Sequence, residues 1–199
     1  YGLRSEKMQP YSKSFYGQPY TGFDAPQREN KKTMSDLTDK TIEWLRKQDA
    51  ETPFFLYFAA VAVHHPITPS DGMRGMSDCG SYGDFIQDLD QCTGRILETL
   101  EYMNLLGNTI IIFTSDNGCS PKADFAELET FDHDPSYIFR GHKADIFEGG
   151  HRIPFITRWP ARIQGGSTCD DTICLTDLMA TAAEIAGYTL PDNAGEDSV

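Results

Sequence analysis

The run Ile110-Ile111-Ile112-Phe113-Thr114-Ser115-Asp116-Asn117-Gly118 constrains this chain more than any other stretch. Four apolar residues in succession, with no polar alternation, predict a strand covered on both faces, as in the parallel sheet of an α/β sandwich. Ligands of such sheets gather at the carboxyl ends of the strands. Asp116 and Asn117 fall at that end, and Gly118 lets the chain turn sharply so that both side chains can face one point. Their donors are hard oxygens, which suit Ca²⁺ or Mg²⁺ better than Zn²⁺. Asp-Asn-Gly is also ordinary turn chemistry after a strand. The tripeptide therefore needs support from elsewhere in the chain.

Composition narrows the classes. With 199 residues, 39% hydrophobic, 12% aromatic and 24% charged, the chain has the makeup of a globular core, one domain or part of a larger one. A net charge of −13 excludes a sequence-independent nucleic-acid binder, which must neutralise phosphates. An anionic substrate would need a local basic pocket. Arg140, His142, Lys143, His151 and Arg152 form such a cluster in sequence, or else a solvated surface patch. The five cysteines, at 79, 92, 119, 169 and 174, have no C-x-x-C spacing, which gives no support to a zinc ribbon or thioredoxin-type site. Cys92 reads as a small core residue on a helix stripe, and Cys169 with Cys174 is the pair close enough in sequence to suggest a disulfide. No run is long and apolar enough to span a membrane, and no Asn-x-Ser/Thr acceptor occurs. Tyr1 is not an initiating Met, so a removed leader stays open.

Along the chain, residues 1–32 are an aromatic and Gly-rich loop segment, and residues 33–199 carry the element pattern. A helix is expected from Ser35, as N-cap, to about Lys47, turning Leu37, Ile42 and Leu45 inward. Residues 54–60 read as a second buried strand, ending at Val63-His64-His65-Pro66. Phe85, Leu89, Cys92, Ile96, Leu100 and Met103 recur at three- and four-residue steps, which predicts a helix over 82–103 closed by Gly107. Strand, helix and strand in that order imply a right-handed crossover between parallel strands, which brings His64 and Asp116 to the same sheet edge. Residues 119–139 are irregular and acidic, 154–160 form a short strand closed by Pro160, and 174–186 form a helix with Gly187 as its C-terminal cap.

Two further side chains carry chemistry. His64, at the end of a strand and held by Pro66, is a candidate proton donor or anion ligand; such histidines also serve as structural hydrogen-bonding residues. Lys143, between Gly141 and Gly149-Gly150, can present a point charge to an oxyanion, or be a plain surface lysine.

The order of segments joins these candidates. Phe-Phe-Leu-Tyr-Phe running to His-His-Pro comes first, and Tyr82-Gly83-Asp84 then opens a long helix. Phe-Thr-Ser-Asp-Asn-Gly follows, with Arg-Gly-His-Lys before Glu-Gly-Gly-His-Arg-Ile-Pro-Phe. The series, over about residues 50–190, resembles the sulfatase family of the alkaline-phosphatase superfamily. The resemblance implies an alkaline-phosphatase-like α/β sandwich, with a mainly parallel central sheet flanked by helices and incomplete at both ends. It implies hydrolysis of a sulfate ester, on a sulfated sugar, polysaccharide or small molecule, with Ca²⁺, or Mg²⁺ in its place. Asp116 and Asn117 match the later pair of metal ligands, His64 the histidine that meets the ester and its leaving oxygen, and Lys143 the lysine on the sulfate oxygens.

The departure from the family pattern is large. The earlier segment, with two adjacent aspartates and the Cys or Ser of C/S-x-P/A-x-R that becomes formylglycine, is not in this chain. Cys119-Ser120-Pro121-Lys122-Ala123 imitates its start, but Ala123 stands where arginine belongs. The expectation is the later part of a sulfatase catalytic domain, inactive alone, whose partner is the upstream part of the same domain. A phosphoester or phosphonate hydrolase of the same superfamily, and an inactive fragment or binding module, are the alternatives. A bacterial sulfatase would be periplasmic or secreted; a eukaryotic one would be lysosomal or secretory.

Overall fold

In a computed structural model, residues 29–195 together with Asp197 and Ser198 are described. The aromatic segment expected over 1–32 therefore lies outside the described residues up to position 28, and Asn30–Lys32 form one 3-10 turn. The chain divides into two compact units. The first holds the described residues up to Thr109 and Asn117–Ile153; the second holds Ile110–Asp116 and the chain from Pro154 onward.

The first unit is built on two helices, α1 (Thr33–Leu45) and α2 (Gly80–Tyr102). Helix α1 begins two residues before the expected Ser35, whose hydroxyl donates back to the Lys32 carbonyl instead of capping. Leu37 is half-buried, and the buried stripe is Met34, Thr38, Thr41, Ile42 and Leu45. Thr38 tolerates that position because its hydroxyl donates to the Met34 carbonyl at 2.8 Å. Helix α2 keeps the expected register, with Phe85, Cys92 and Leu100 buried. It ends earlier than Gly107: Asn104 takes the left-handed conformation (φ 58°), and the N–H groups of Asn104 and Leu105 donate to the carbonyls of Glu101 and Leu100. That is a Schellman closure made by asparagine, one of the few residues with a Cβ that adopts it readily.

Residues 54–60 run against this pair without a ladder partner among the described residues. Their burial alternates: Phe54, Leu56, Phe58 and Ala60 turn partly inward, whereas Phe55 and Tyr57 remain 85% and 81% exposed. Phe58 and Ala60–Val63 pack on the Met34, Phe85 and Cys92 core, and Phe54 meets Trp44 edge-on at 5.6 Å. The second buried strand expected here does not form among the described residues: no ladder is made, the Ala60 N–H turns back to the Phe58 carbonyl at 3.0 Å, and burial is one-sided in place of two-sided.

Two buried aspartates on α2 fix the loop that follows this segment. Asp88 accepts from the Ser70 N–H and hydroxyl at 2.5 and 2.6 Å. One turn earlier, Asp84, 4% exposed, accepts from the N–H groups of Gly75 (2.7 Å) and Ser77 (2.9 Å) and from the Ser77 hydroxyl (2.9 Å). Burial opposes the Asp84 charge, but these donors outweigh it and hold the carboxyl below its ordinary value.

The remaining loops of this unit meet at glycines. The Gly118 N–H donates to the Gly150 carbonyl at 2.9 Å, and a Cβ at Gly118 would run into the Gly149 carbonyl oxygen. Gly149 in turn lies against the carbonyl of Gly141. Gly118 does not have a positive φ, so glycine is needed there for close approach of two backbones more than for a left-handed turn. The expected irregular stretch 119–139 contains a short helix, α3 (Phe125–Thr130), whose Glu127 N–H is capped by Asp124. Further on in this unit, Glu148–His151 form one helical turn, α4.

In the second unit, β1 (Ile111–Thr114) pairs antiparallel with β2 (Phe155–Arg158), Ile111 opposite Arg158 and Thr114 opposite Phe155. The ladder among the described residues therefore differs from the expected parallel crossover pair. An antiparallel strand at the margin is common in otherwise parallel sheets, and the neighbour in space is the strand that follows the glycine loops. Cover is also incomplete, Ile112 being 39% and Ile156 62% exposed. Helix α5 (Asp177–Ile185) buries none of its residues, but its end is as expected: Gly187 is left-handed, and Gly187 and Tyr188 donate to Glu184 and Ala183.

Two substitutions test this account. Asp84→Ala should lower the unfolding free energy by about 2–3 kcal/mol, because amide donors lose their acceptor, and Tm by about 4–12 °C. Since the Asp84 carboxyl is held below its ordinary 3.8, its stabilisation is complete above that value and is lost as pH falls through the lower folded-state value. Thermal unfolding curves of wild type and Asp84→Asn should therefore converge in acid; a gap that widens on acidification contradicts the role given to the carboxylate. Gly118→Ala should cost about 3 kcal/mol or more by overpacking, whereas Gly94→Ala, on an open face of α2, should stabilise by about 0.5–1 kcal/mol. Equal Tm values for the two variants would refute the glycine crossing.

Candidate functional site

Three of the four residues singled out in the sequence, His64, Asn117 and Lys143, lie in the first unit, and Asp116 belongs to the second. Within the first unit, one small cluster draws their loops together. Tyr82, Ala123 and Leu128 are buried side by side, and Val63, Ile67 and Cys119 pack on them. Val63 precedes His64, and Cys119 lies two residues after Asn117. The Cys119 carbonyl then accepts the Lys143 N–H at 2.8 Å, which brings the third loop to the same place.

Tyr82 is the post around which this forms. Burial, together with a hydrogen bond from its hydroxyl to the Cys119 thiol, pushes the phenol well above its ordinary range. Burial also raises the Cys119 thiol, against the lowering effect of that same bond. Cys119 is therefore a neutral packing residue that orients its loop, consistent with its failure to complete the C/S-x-P/A-x-R pattern.

His64 is exposed, and its Nδ1 lies 2.6 Å from the His65 carbonyl oxygen. A carbonyl only accepts, so Nδ1 carries the proton. The nitrogen left to exchange a proton is Nε2. Lys143 is half-buried on a turn closed by Asp145, and its ammonium makes no ion pair among the described residues. Its basic neighbours are engaged. Arg140 stacks over Phe147 at 3.7 Å, Arg152 pairs with Glu148 at 2.8 Å and covers Phe139, and His151 Nε2 donates to the Ile146 carbonyl. The basic cluster seen in the sequence is thus mainly a structural brace, with Lys143 as the charge it presents.

Asp116 is exposed and Asn117 half-buried. Their oxygens have the right character for Ca²⁺, but two side chains fall short of the six to eight oxygens that ion takes. Among the described residues no group of three or more His, Cys, Asp or Glu is placed to hold a metal. Further ligands would have to come from outside that set.

Sequence reasoning does not single out Asp145; its signal is the short polar residue two positions after Lys143 in a Gly-flanked turn. Asp84 enters the sequence reading only as part of the Tyr82-Gly83-Asp84 segment, and its buried role and that of Asp88 escape it, because a stripe of apolar residues says nothing about the carboxylates beside it.

Comparison with known proteins gives the family of the chain. Residues 4–188 match the family described as Sulfatase. The N-acetylgalactosamine-6-O-sulfatase of Bacteroides thetaiotaomicron is 40% identical over 153 residues, 74% of this chain and 29% of that protein. The steryl-sulfatase of Homo sapiens is 35% identical over 158 residues, 79% of this chain and 27% of that protein. A solved structure from work on the metabolism of multiple glycosaminoglycans by Bacteroides thetaiotaomicron superposes with a TM-score of 0.78 at 34% identity, over 88% of this chain and 37% of that one. The chain spans less than a third of the length of these two curated relatives. No helix among the described residues is long and apolar enough to cross a membrane. The α/β fold is of the alkaline-phosphatase type, and the chain belongs to the sulfatase family.

Proposed function

We propose that the full-length protein is a sulfuric ester hydrolase acting on a sulfated sugar, and that this chain supplies the later half of its active site. The convergence of the His64, Asn117 and Lys143 loops on the Tyr82 cluster carries this reading. A titratable imidazole and a fixed ammonium from distant parts of the sequence are thereby brought to one set of loops, as recognition of a single anion requires.

In this reading Lys143 binds the non-bridging sulfuryl oxygens. His64 meets the ester through Nε2 and, as the doubly protonated imidazolium, hands the Nε2 proton to the leaving oxygen and is left as the neutral ring with Nδ1–H bonded to the His65 carbonyl. Asp116 and Asn117 contribute hard-oxygen ligands to Ca²⁺, or Mg²⁺, which when bound would supply positive charge at the sulfuryl group. The formylglycine and the other ligands are assigned to an upstream segment. We also assign residues 54–60, with their alternating burial, to a strand of a wider and mainly parallel sheet that the upstream segment completes. The sugar preference rests on the 40% identity to the N-acetylgalactosamine-6-O-sulfatase; the lower identity to the steryl-sulfatase keeps a hydrophobic sulfate as the lesser choice. Secretion to the periplasm or cell exterior, or to a lysosome in a eukaryote, follows the family.

Full-length protein produced with its formylglycine modification should hydrolyse aryl sulfate and 6-sulfated N-acetylgalactosamine far faster than the matched phosphate esters; a phosphate preference overturns the assignment in favour of a phosphoester hydrolase. His64→Ala should lower kcat about 10²–10³-fold on substrates with poor leaving groups and much less on activated aryl sulfates. An equal loss on both rules out its role as the acid. Asp116→Ala should release Ca²⁺, read by metal analysis after gel filtration. Lys143→Ala should retain the metal and bind inorganic sulfate at least about tenfold more weakly; metal loss there contradicts the division of roles.

A further inference from the structure

The loop that carries Lys143 is a single tight turn closed by Asp145 through both its carboxylate and its backbone N–H. Asp145 Oδ2 accepts the His142 backbone N–H at 3.0 Å and lies 3.4 Å from Nδ1 of the same imidazole. In return the Asp145 N–H donates to the His142 carbonyl at 2.9 Å. Lys143 and Ala144 are the two residues spanned. Ala144 has φ 77°, a left-handed conformation that a residue with a Cβ adopts only when its surroundings enforce it.

The enforcement comes from two sides. Outside the turn, the backbone supplies it: Lys143 N–H to the Cys119 carbonyl, and Gly150 packed so closely that a Cβ there would run into the Asp145 carbonyl and sit 2.8 Å from that of His142. Inside the turn, the Asp145 side chain supplies it. A Cβ at Gly141 would sit 3.0 Å from Oδ2, so the absence of a side chain there leaves the carboxylate its place beside the His142 N–H. The His142 Nδ1 also lies 3.1 Å from the Lys143 carbonyl, which ties that imidazole to the lysine's own peptide.

We infer that Asp145 is a positioning residue for the Lys143 ammonium. It holds the His142–Asp145 turn closed so that the ammonium faces the sulfuryl oxygens, and makes no contact with substrate itself. The inference rests on the sulfate-binding role given to Lys143 above. Orientation of a charge is worth large factors because a displacement of about 1 Å can cost about a hundredfold. The role is geometric: it needs an acceptor oxygen at the Oδ2 position more than it needs a negative charge.

The test uses full-length protein, with inorganic sulfate as competitive inhibitor and an aryl sulfate as substrate. Asp145→Ala should raise the sulfate inhibition constant and KM about tenfold with bound Ca²⁺ unchanged. Asp145→Asn, which keeps the acceptor, should stay within about threefold of wild type. Asp145→Glu keeps the charge and misplaces the oxygen, so it should behave as Ala does, and it gives the same reading if the Ala variant folds poorly. In a Lys143→Ala background, Asp145→Ala should add less than about twofold, because residues that act as a unit are not additive. Full additivity in that background, an Asn variant as impaired as Ala, or an unaffected Asp145→Ala beside an impaired Lys143→Ala each overturns the inference alone. A Lys143→Ala variant with normal sulfate affinity overturns the role of Lys143 and this inference with it.

Discussion

Backbone meets backbone at Gly118, Gly149 and Gly141, and the loops of the first unit are arranged around those meeting points. A Cβ at Gly118 would collide with the Gly149 carbonyl and one at Gly149 with the Gly141 carbonyl, and the Gly118 N–H to Gly150 carbonyl bond closes the crossing. Packing between backbones has an advantage over packing between side chains here. No rotamer can relax it, so the peptide groups it holds are fixed to within the stiffness of the chain itself. The loop after Asn117 and the loop bearing Lys143 are registered in this way. The bond from Lys143 N–H to the Cys119 carbonyl repeats the arrangement beside it.

Helix α2 performs the corresponding service for the loop after His64. Its apolar stripe faces the core, and its carboxylates at 84 and 88, one turn apart, hold Gly75, Ser77 and Ser70. The same helix carries Tyr82, whose ring and hydroxyl anchor Val63 and Cys119. A single rigid element thus sets the positions of two loops that are far apart in sequence, and sites held on rigid elements keep their geometry better than sites on free loops.

What can be read from the sequence follows local physics. The three- and four-residue period places α2 to within two residues, and the glycine rule places the end of α5 at Gly187. Where two residues could play one part, the reading fails: Asn104, not Gly107, closes α2. The apolar run at 110–113 correctly signals a strand but not how many of its faces are covered, whereas the run at 54–60 forms no strand among the described residues, because pairing depends on partners remote in sequence. In the sequence Gly118 stands out for its flexibility, whereas its use is to make room for residues about thirty positions later. In the candidate site, segment order points to His64, Asp116, Asn117 and Lys143 as a set. The meeting of the His64, Asn117 and Lys143 loops at Tyr82, and the clamp at Asp145, require three dimensions, because each joins short segments with no periodic relation.

The one-sided burial of residues 54–60 has a practical bearing on handling this polypeptide. A stretch without a ladder partner among the described residues, and with outward phenyl and phenol rings, is an apolar face on which other chains can assemble. Association through such a face depends on concentration, and sedimentation velocity across a dilution series reads it directly. Charged replacements at Phe55 and Tyr57, which lie outside the α1 and α2 core, are the natural way to keep this polypeptide in solution.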